Sequence, residues 1–317
     1  MAKTLTIYSG TTGINNSDDP SRLKWDPQTG ITDLQAGVNI DIDKTLRASR
    51  RLGYTDISIT DKASGEPLLG EMHSLFCDGP ECPCLFVHDN ELRRLYADYT
   101  SDPLAWITKG PRLSYARVSG KVYWMNGFEK GIVANGVNTA WGASGPIKIP
   151  KSKKVAYPPP VGHLVGHYNG FMYVAVDRYL WYSEPFAYSW FVLGRNRLPF
   201  SSRIRLFGAV KGCMFVSDSE RIYSLVGQTP QDFIKEEVAD YPAVEGSMVY
   251  ENASRVGAGD LPGKVLLFTS SKGDVCLGGA DGFFKNLTED RLVLPGVPIG
   301  AGNAAVVNGK YICNMES

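Results

Sequence analysis

Residues 118–126 read VSGKVYWMN, and the same construction returns as YNGFMYVAV at 168–176, VKGCMFVSD at 210–218, LPGKVLLFT at 261–269 and VNGKYICNM at 307–315. Each copy has a turn pair ending in glycine, then a strand dense in β-branched and aromatic side chains. A tight hairpin turn needs positive φ at its glycine, and the residues beyond it suit a pleated surface packed on both faces. A weaker sixth copy, CDGPECPCLFVHD from Cys77, places Gly79 in the turn and inserts residues before CLFV. The turn glycines are then Gly79, Gly120, Gly170, Gly212, Gly263 and Gly309, separated by 41, 50, 42, 51 and 46 residues.

Beyond each strand the chain turns at polar residues, as in HDNE from His88 and SDSER from Ser217, and returns through LRRLYA, LWYS, IYSLV and VCLGG. A further segment then carries a large apolar group: Trp106, Trp141, Trp190 or Phe233. Four short strands in every 41 to 51 residues is the pattern of a propeller blade. The expected fold is all-β: a β-propeller of six blades, each of four short antiparallel strands, with five or seven blades as alternative counts. A pair of β-sandwiches is the competing architecture.

The last copy reaches Ser317 after about two strands, so a closed ring needs strands from elsewhere. TLTIYS from Thr4 and VNIDID from Val38 are strand-like and lie outside the fuller repeats. They are expected to complete the last blade, making 1–60 an N-terminal arm with ring-closing strands and 61–317 the blades of a single domain. Gly 34, Pro 19, Tyr 16 and Phe 13 leave little uninterrupted room for helix. Only PQDFIKEEV at 230–238 reads as a short helix, opening on a proline suited to a first turn.

A chain of 317 residues with 43% apolar content can bury a full core. Lys plus Arg and Asp plus Glu number 33 each, so no positive field draws in phosphate backbones or anionic membranes, which argues against a dedicated nucleic-acid binder. MAKTLTIYSG lacks the continuous apolar run of an export signal, and no membrane-spanning segment is expected, because about 18 uninterrupted apolar residues occur nowhere. Synthesis in the cytosol follows as the expectation.

Catalytic chemistry is thin. His163 and His167 in GHLVGHYNG offer a same-face pair without a nearby acid or thiol. HSLFCDGPECPCLFVH gathers His73, Cys77, Cys82, Cys84 and His88, donors suited to zinc, but its cysteine spacing is not that of a knuckle. A metal site, a disulfide across the hairpin and reduced packing cysteines all remain open there. Cys213, Cys276 and Cys313 fall on inner strands and read as core. Asp177, Asp218, Asp274 and Asp281 read as turn acids, and 272–282 lacks the ligand alternation of a calcium loop. The stretch PKSKKVAYPPP at 150–160, with Lys151, Lys153 and Lys154, reads as an extended linker. No enzyme activity and no cofactor are expected.

Residues 13–16 (GINN), Asp19 and Pro20, and then Leu34, Ala36, 39–43, Arg50, Arg51, Gly53 and Tyr54 form a combination that resembles the N-terminal region of tailed-bacteriophage virion proteins with a β-propeller body. The match covers about 45 residues; one departure is Leu46, where members of that class often carry a turn glycine. The resemblance implies a non-enzymatic structural protein of the virion, made in the bacterial host cytoplasm. It would be either a ring-forming nozzle subunit around the tail channel or a tail-tip or baseplate protein. Its partners would be other tail or connector proteins and further copies of itself, with DNA only as transient cargo.

Within that region Val38, Ile40 and Ile42 alternate with Asn39, Asp41 and Asp43, which reads as a strand paired in a hairpin with 46–51. Asp41 and Asp43 are expected to pair with Arg47, Arg50 or Arg51 across it, and these five residues are the candidate interface. A propeller that binds a carbohydrate or receptor during host adsorption is the alternative function. Trp181, Tyr182 and Trp190 are its candidate ligand-facing aromatics, with Tyr188 close by in sequence.

Overall fold

The computed structural model describes residues 10–315 apart from Val38, Asn39, Asp43, Lys44, Leu52, Tyr54, Pro80, 109–111, Ala143, Ser144, Lys151, Asp290 and 293–299. Along the chain, one antiparallel sheet follows another, each coinciding with one copy of the repeat. Blade 1 comprises Met72–Phe76, Cys84–His88, Glu91–Leu95 and Thr100–Trp106, with Thr60–Asp61 added in parallel on its outer edge. Blade 2 comprises Ser114–Val118, Lys121–Met125, Lys130–Ala134 and Val137–Ala140. Blade 3 comprises Leu164–Tyr168, Phe171–Val176, Tyr179–Tyr182 and Arg197–Pro199.

Blade 4 comprises Leu206–Val210, Cys213–Ser217, Ile222–Val226 and Ile234–Ala239, and blade 5 comprises Val249–Asn252, Lys264–Thr269, Val275–Gly278 and Phe284–Asn286. Gly302–Val307 and Lys310–Met315 begin a sixth sheet. The fold is a β-propeller.

The hairpin turns follow the logic of the template. All six template glycines have φ between 76° and 85°, a region that costs a residue with a Cβ. In three turns the preceding residue, Ser119, Asn169 or Asn308, also has φ near 50°, which is the type I′ geometry that matches strand twist. Pro262 before Gly263 instead suits a type II turn, where proline fixes the first central φ and glycine takes the second.

Packing lies between blades. Leu85, Val87 and Leu92 meet Val122 and Trp124 between blades 1 and 2. Met125 meets Met172, Val174 and Phe191 between blades 2 and 3. Tyr173 and Leu180 meet Phe207 and Met214 between blades 3 and 4, and Phe215 meets Leu266 and Phe268 between blades 4 and 5. The strand after each template glycine supplies most of these groups because it is covered on both faces.

One expected element changes. The segment expected as a helix at 230–238 contains a turn and then the strand Ile234–Ala239, paired with Ile222–Val226. A helix that short closes few internal hydrogen bonds, whereas the exposed edge of blade 4 offers a full ladder. There is no α-helix among the described residues.

The described part of the arm forms sheets of its own, while the expected closure through TLTIYS lies outside the described residues. Gly10–Ile14 pairs in parallel with Ile31–Leu34, and Ile40–Ile42 pairs antiparallel with Ala48–Arg50, each pair forming a separate sheet. Val38, Asn39 and Asp43 lie outside the described residues as well. Among the described residues the sixth sheet has two strands, and the arm meets it through an Asp41–Lys310 ion pair of 2.7 Å rather than through a backbone ladder.

Candidate functional site

The arm is fixed to the C-terminal part of the chain by a buried carboxylate. Asp33 is 5% exposed and accepts hydrogen bonds from the Thr12 hydroxyl, from Asn15 Nδ2 at 3.2 Å and from Arg291 Nη2 at 2.7 Å. Burial pushes its carboxyl upward, but the Thr12 and Asn15 hydrogen bonds and the nearby Arg291 charge outweigh this and hold it below its ordinary value. The Asn16 N–H also donates to the Arg291 carbonyl at 3.0 Å.

The arm hairpin forms between Ile40–Ile42 and Ala48–Arg50, but Asp41 does not pair with Arg50 across it. Asp41 stands opposite Ser49, while Arg50 stands opposite Ile40. Alternation therefore puts Asp41 and Arg50 on opposite faces, and the Asp41 carboxylate pairs with Lys310. Arg47, Arg50 and Arg51 are all exposed, and Asp43 lies outside the described residues. Leu46 has φ 64°, and its carbonyl accepts the Thr11 N–H at 2.6 Å. That φ is left-handed, a region that costs a residue with a Cβ.

A second group of polar residues lies where the inner strands converge. Arg112, just before the inner strand of blade 2, donates to the Gly302 carbonyl at the start of the sixth sheet. Toward the other end of that strand, Arg117 Nη1 donates to the Asp78 carbonyl at 2.6 Å. The Asp78 carboxylate lies 3.8 Å from Arg117 and 3.7 Å from Lys264 of blade 5. These contacts join blades 2 and 6, and blades 1 and 5, which are not consecutive in the chain order. Tyr250 is 40% exposed, its hydroxyl accepts the Ala209 N–H at 2.9 Å, and burial pushes its phenol up to about 12.

The candidate aromatics do not form an open platform. Tyr182 is 7% exposed in the core between blades 3 and 4. Trp181 is half-buried beneath the Arg197 guanidinium, 5.5 Å from its ring, and Trp190 is also half-buried. Successive strand residues point to opposite faces, and here both faces of the blade are packed. The ligand-facing assignment is therefore corrected for Tyr182. Side chains that do stand out, Trp106 at 72% and Phe186 at 79% exposed, sit at a strand end and a loop; hydrophobicity alone gives no sign of that.

No group of three metal-binding side chains converges among the described residues. Cys84 and His88 occupy opposite ends of one strand, about 13 Å apart at the usual rise. The His73 ring bonds Ser74 Oγ at 2.7 Å, and His88 Nε2 contacts the Leu69 carbonyl at 3.0 Å. His73, Cys77, Cys82, Cys84 and His88 thus form no joint site, and all six cysteines are free thiols. Cys213 and Cys276 are buried core residues, whereas Cys313 is only partly covered, on a sheet that has two strands among the described residues.

His163 Nε2 donates to the Ile204 carbonyl at 2.6 Å, and His167 instead meets the Tyr188 ring edge-on at 5.3 Å. Asp218 accepts the N–H groups of Glu220 and Arg221, each at 2.9 Å, closing its own turn. Lys154 of the linker pairs with Glu184 at 3.2 Å. Val155–Ala156 of that stretch pairs with Ile147–Lys148 just before it, forming a short hairpin in place of a plain extended connector.

No protein-family model and no curated protein matches the sequence. Among solved structures, the chain is similar to the WD40 domain of Neurospora crassa Pan2, at 10% identity over 83% of this chain and 74% of that one, with a TM-score of 0.45. It is also similar to an inactive variant of virginiamycin B lyase from Staphylococcus aureus with quinupristin, at 12% identity over 74% and 71% of the two chains and a TM-score of 0.41. The WD40 β-propeller domain of Doa1 gives 11% identity over 72% and 67%, with a TM-score of 0.38. Among the described residues no helix is long and apolar enough to cross a membrane.

Proposed function

We propose that the chain is a non-enzymatic structural component of a tailed-phage tail, as a nozzle subunit or a tail-tip protein, working through protein–protein assembly. The observation that carries this reading is the arm at 10–55: its sequence resembles the corresponding region of phage virion proteins, and its charged strand Ala48–Arg50 stands exposed, outside every blade. An exposed strand with arginines at 47, 50 and 51 suits contact with a neighbouring subunit better than the stability of its own chain, since exposed ion pairs contribute only about 0 to 1 kcal/mol. Equal numbers of acidic and basic residues suit a protein beside moving DNA, because a conduit gains nothing by gripping phosphates. The chain is made in the host cytoplasm and carried in the virion.

The test replaces Arg47, Arg50 and Arg51 together with glutamate and follows incorporation into virions by quantitative mass spectrometry, with thermal unfolding of the purified chain as the control. A drop in incorporation of about tenfold or more, corresponding to roughly 1.4 kcal/mol of assembly free energy, with unchanged folding, is the expected result. Wild-type incorporation of the variant, or virions that contain none of the chain, defeats the reading. Electron microscopy of the virion then separates a ring around the tail lumen from copies at the tip.

A further inference from the structure

We propose that Cys77 and Cys84 are a reversible redox pair that closes to a disulfide when the chain leaves the reducing cytosol, fastening the hairpin that carries Asp78. The timing rests on the tail reading; the chemistry rests on the hairpin alone. Phe76 pairs with Leu85 across blade 1, so Cys77 and Cys84 are the next facing positions and share one side of the sheet. Directly facing residues hold their Cβ atoms about 4.5–5.5 Å apart, a small adjustment from the roughly 3.5–4.5 Å of a disulfide. The two thiols lie close enough to act on each other's ionisation: after burial, the neighbouring Cys77 is what pushes the Cys84 thiol up.

Access is asymmetric. Cys77 is exposed and Cys84 half-buried, so a soluble oxidant reaches Cys77 first. Cys82 is buried, with its Sγ directed to the Pro83 carbonyl at 3.5 Å. Cys213 and Cys276 are sealed between blades 4 and 5.

The oxidant is a low-molecular-weight disulfide such as oxidised glutathione. The Cys77 thiolate attacks one of its sulfurs, the glutathione S–S bond breaks, and one glutathione thiolate leaves. Cys84 then loses its proton and attacks the Cys77 sulfur of the mixed disulfide, expelling the second glutathione thiolate. Two S–H bonds are lost and one S–S bond is formed. The two electrons reside on glutathione, now two thiols. Burial pushes the Cys84 thiol up to about 12, so the second step is slow at neutral pH and accelerates with alkali.

The disulfide would close the turn holding Asp78, whose carboxylate lies against Arg117 and Lys264. Oxidation therefore stiffens a tie between blades 1, 2 and 5, and the oxidised chain should melt roughly 2 to 6 °C above the reduced one.

The full-length chain is incubated in a glutathione redox buffer, denatured in N-ethylmaleimide and mapped by peptide mass spectrometry. The expected outcome is a Cys77–Cys84 cross-link, with the other four of the six thiols alkylated. Cys82→Ser should retain the cross-link, and Cys77→Ser and Cys84→Ser should each abolish it. Alkylation of all six, or a cross-link through Cys82, overturns the proposal. The same mapping on purified virions separates the two claims. The chain present with Cys77 and Cys84 both free overturns the redox pair, whereas absence of the chain's peptides overturns the tail reading and leaves the pair to be judged by the solution result.

Discussion

The side chain of Arg93 is 4% exposed, yet every one of its polar contacts is supplied. Nε donates to Ser101 Oγ at 3.1 Å, Nη1 to Glu91 at 2.6 Å, and Nη2 to the Ser101 carbonyl at 3.2 Å and to Asp61. Asp61 belongs to the short strand that joins the outer edge of blade 1, so this cluster fastens the segment after the arm to the ring. The Asp61 carboxyl is lowered to about 2, first by the Ser64 backbone N–H and then by the Arg93 guanidinium. In an unfolded chain it would titrate near 3.9. Its ionised form therefore favours the fold above about pH 4, and that contribution fades as pH falls toward 2. Asp61→Asn is expected to lower Tm at neutral pH, with the gap to wild type shrinking across that window. A gap that stays constant from neutral pH down to pH 2 would contradict the assignment.

At the scale of the strand, the third residue after each template glycine gives an internal comparison. Tyr123 is 5% exposed, while Tyr173, Phe215 and Leu266 are each 0% exposed; Ile312, at the same place in the last copy, is 37% exposed. The last copy has the sequence of a sandwiched strand, but its sheet has only two strands among the described residues. Leu266→Ala is expected to cost about 2–5 kcal/mol and Ile312→Ala less than about 1 kcal/mol in the isolated chain, measured by urea unfolding. Equal costs would mean that the sixth sheet is covered in solution.

The same comparison shows what was legible in the sequence. Glycine turns and aromatic strands were readable because they are local, and each blade is built from such local signals. The strand Ile234–Ala239 was read as helix because only its partner, Ile222–Val226, makes it a strand. The burial of Tyr182 depends on the next blade, and the Asp41–Lys310 pair joins residues at opposite ends of the chain. Neither leaves a mark in local spacing. Leu46 is a case of the opposite kind: its φ of 64° is set by its place in the arm and not by any glycine in the sequence.

For the whole molecule, the blades meet their neighbours through apolar faces, while the few ties between non-neighbouring blades are polar. Arg112 to Gly302 joins blades 2 and 6, and Asp78 to Lys264 joins blades 1 and 5. The two ties should differ in strength. Lys264 and Asp78 have side chains 66% and 44% exposed, so water screens their attraction. Arg112 makes a charge-assisted hydrogen bond to a backbone carbonyl in a half-buried setting, of a kind that contributes about 1.5–3 kcal/mol. Arg112→Met should thus lower unfolding stability by about 1.5–3 kcal/mol, and Lys264→Met by less than about 1 kcal/mol. Added salt should weaken the Lys264 effect further and leave that of Arg112 largely intact. Urea unfolding of the two variants at low and high salt checks the order; a larger loss for Lys264→Met would mean that the Asp78 tie, not the Arg112 tie, holds the ring together.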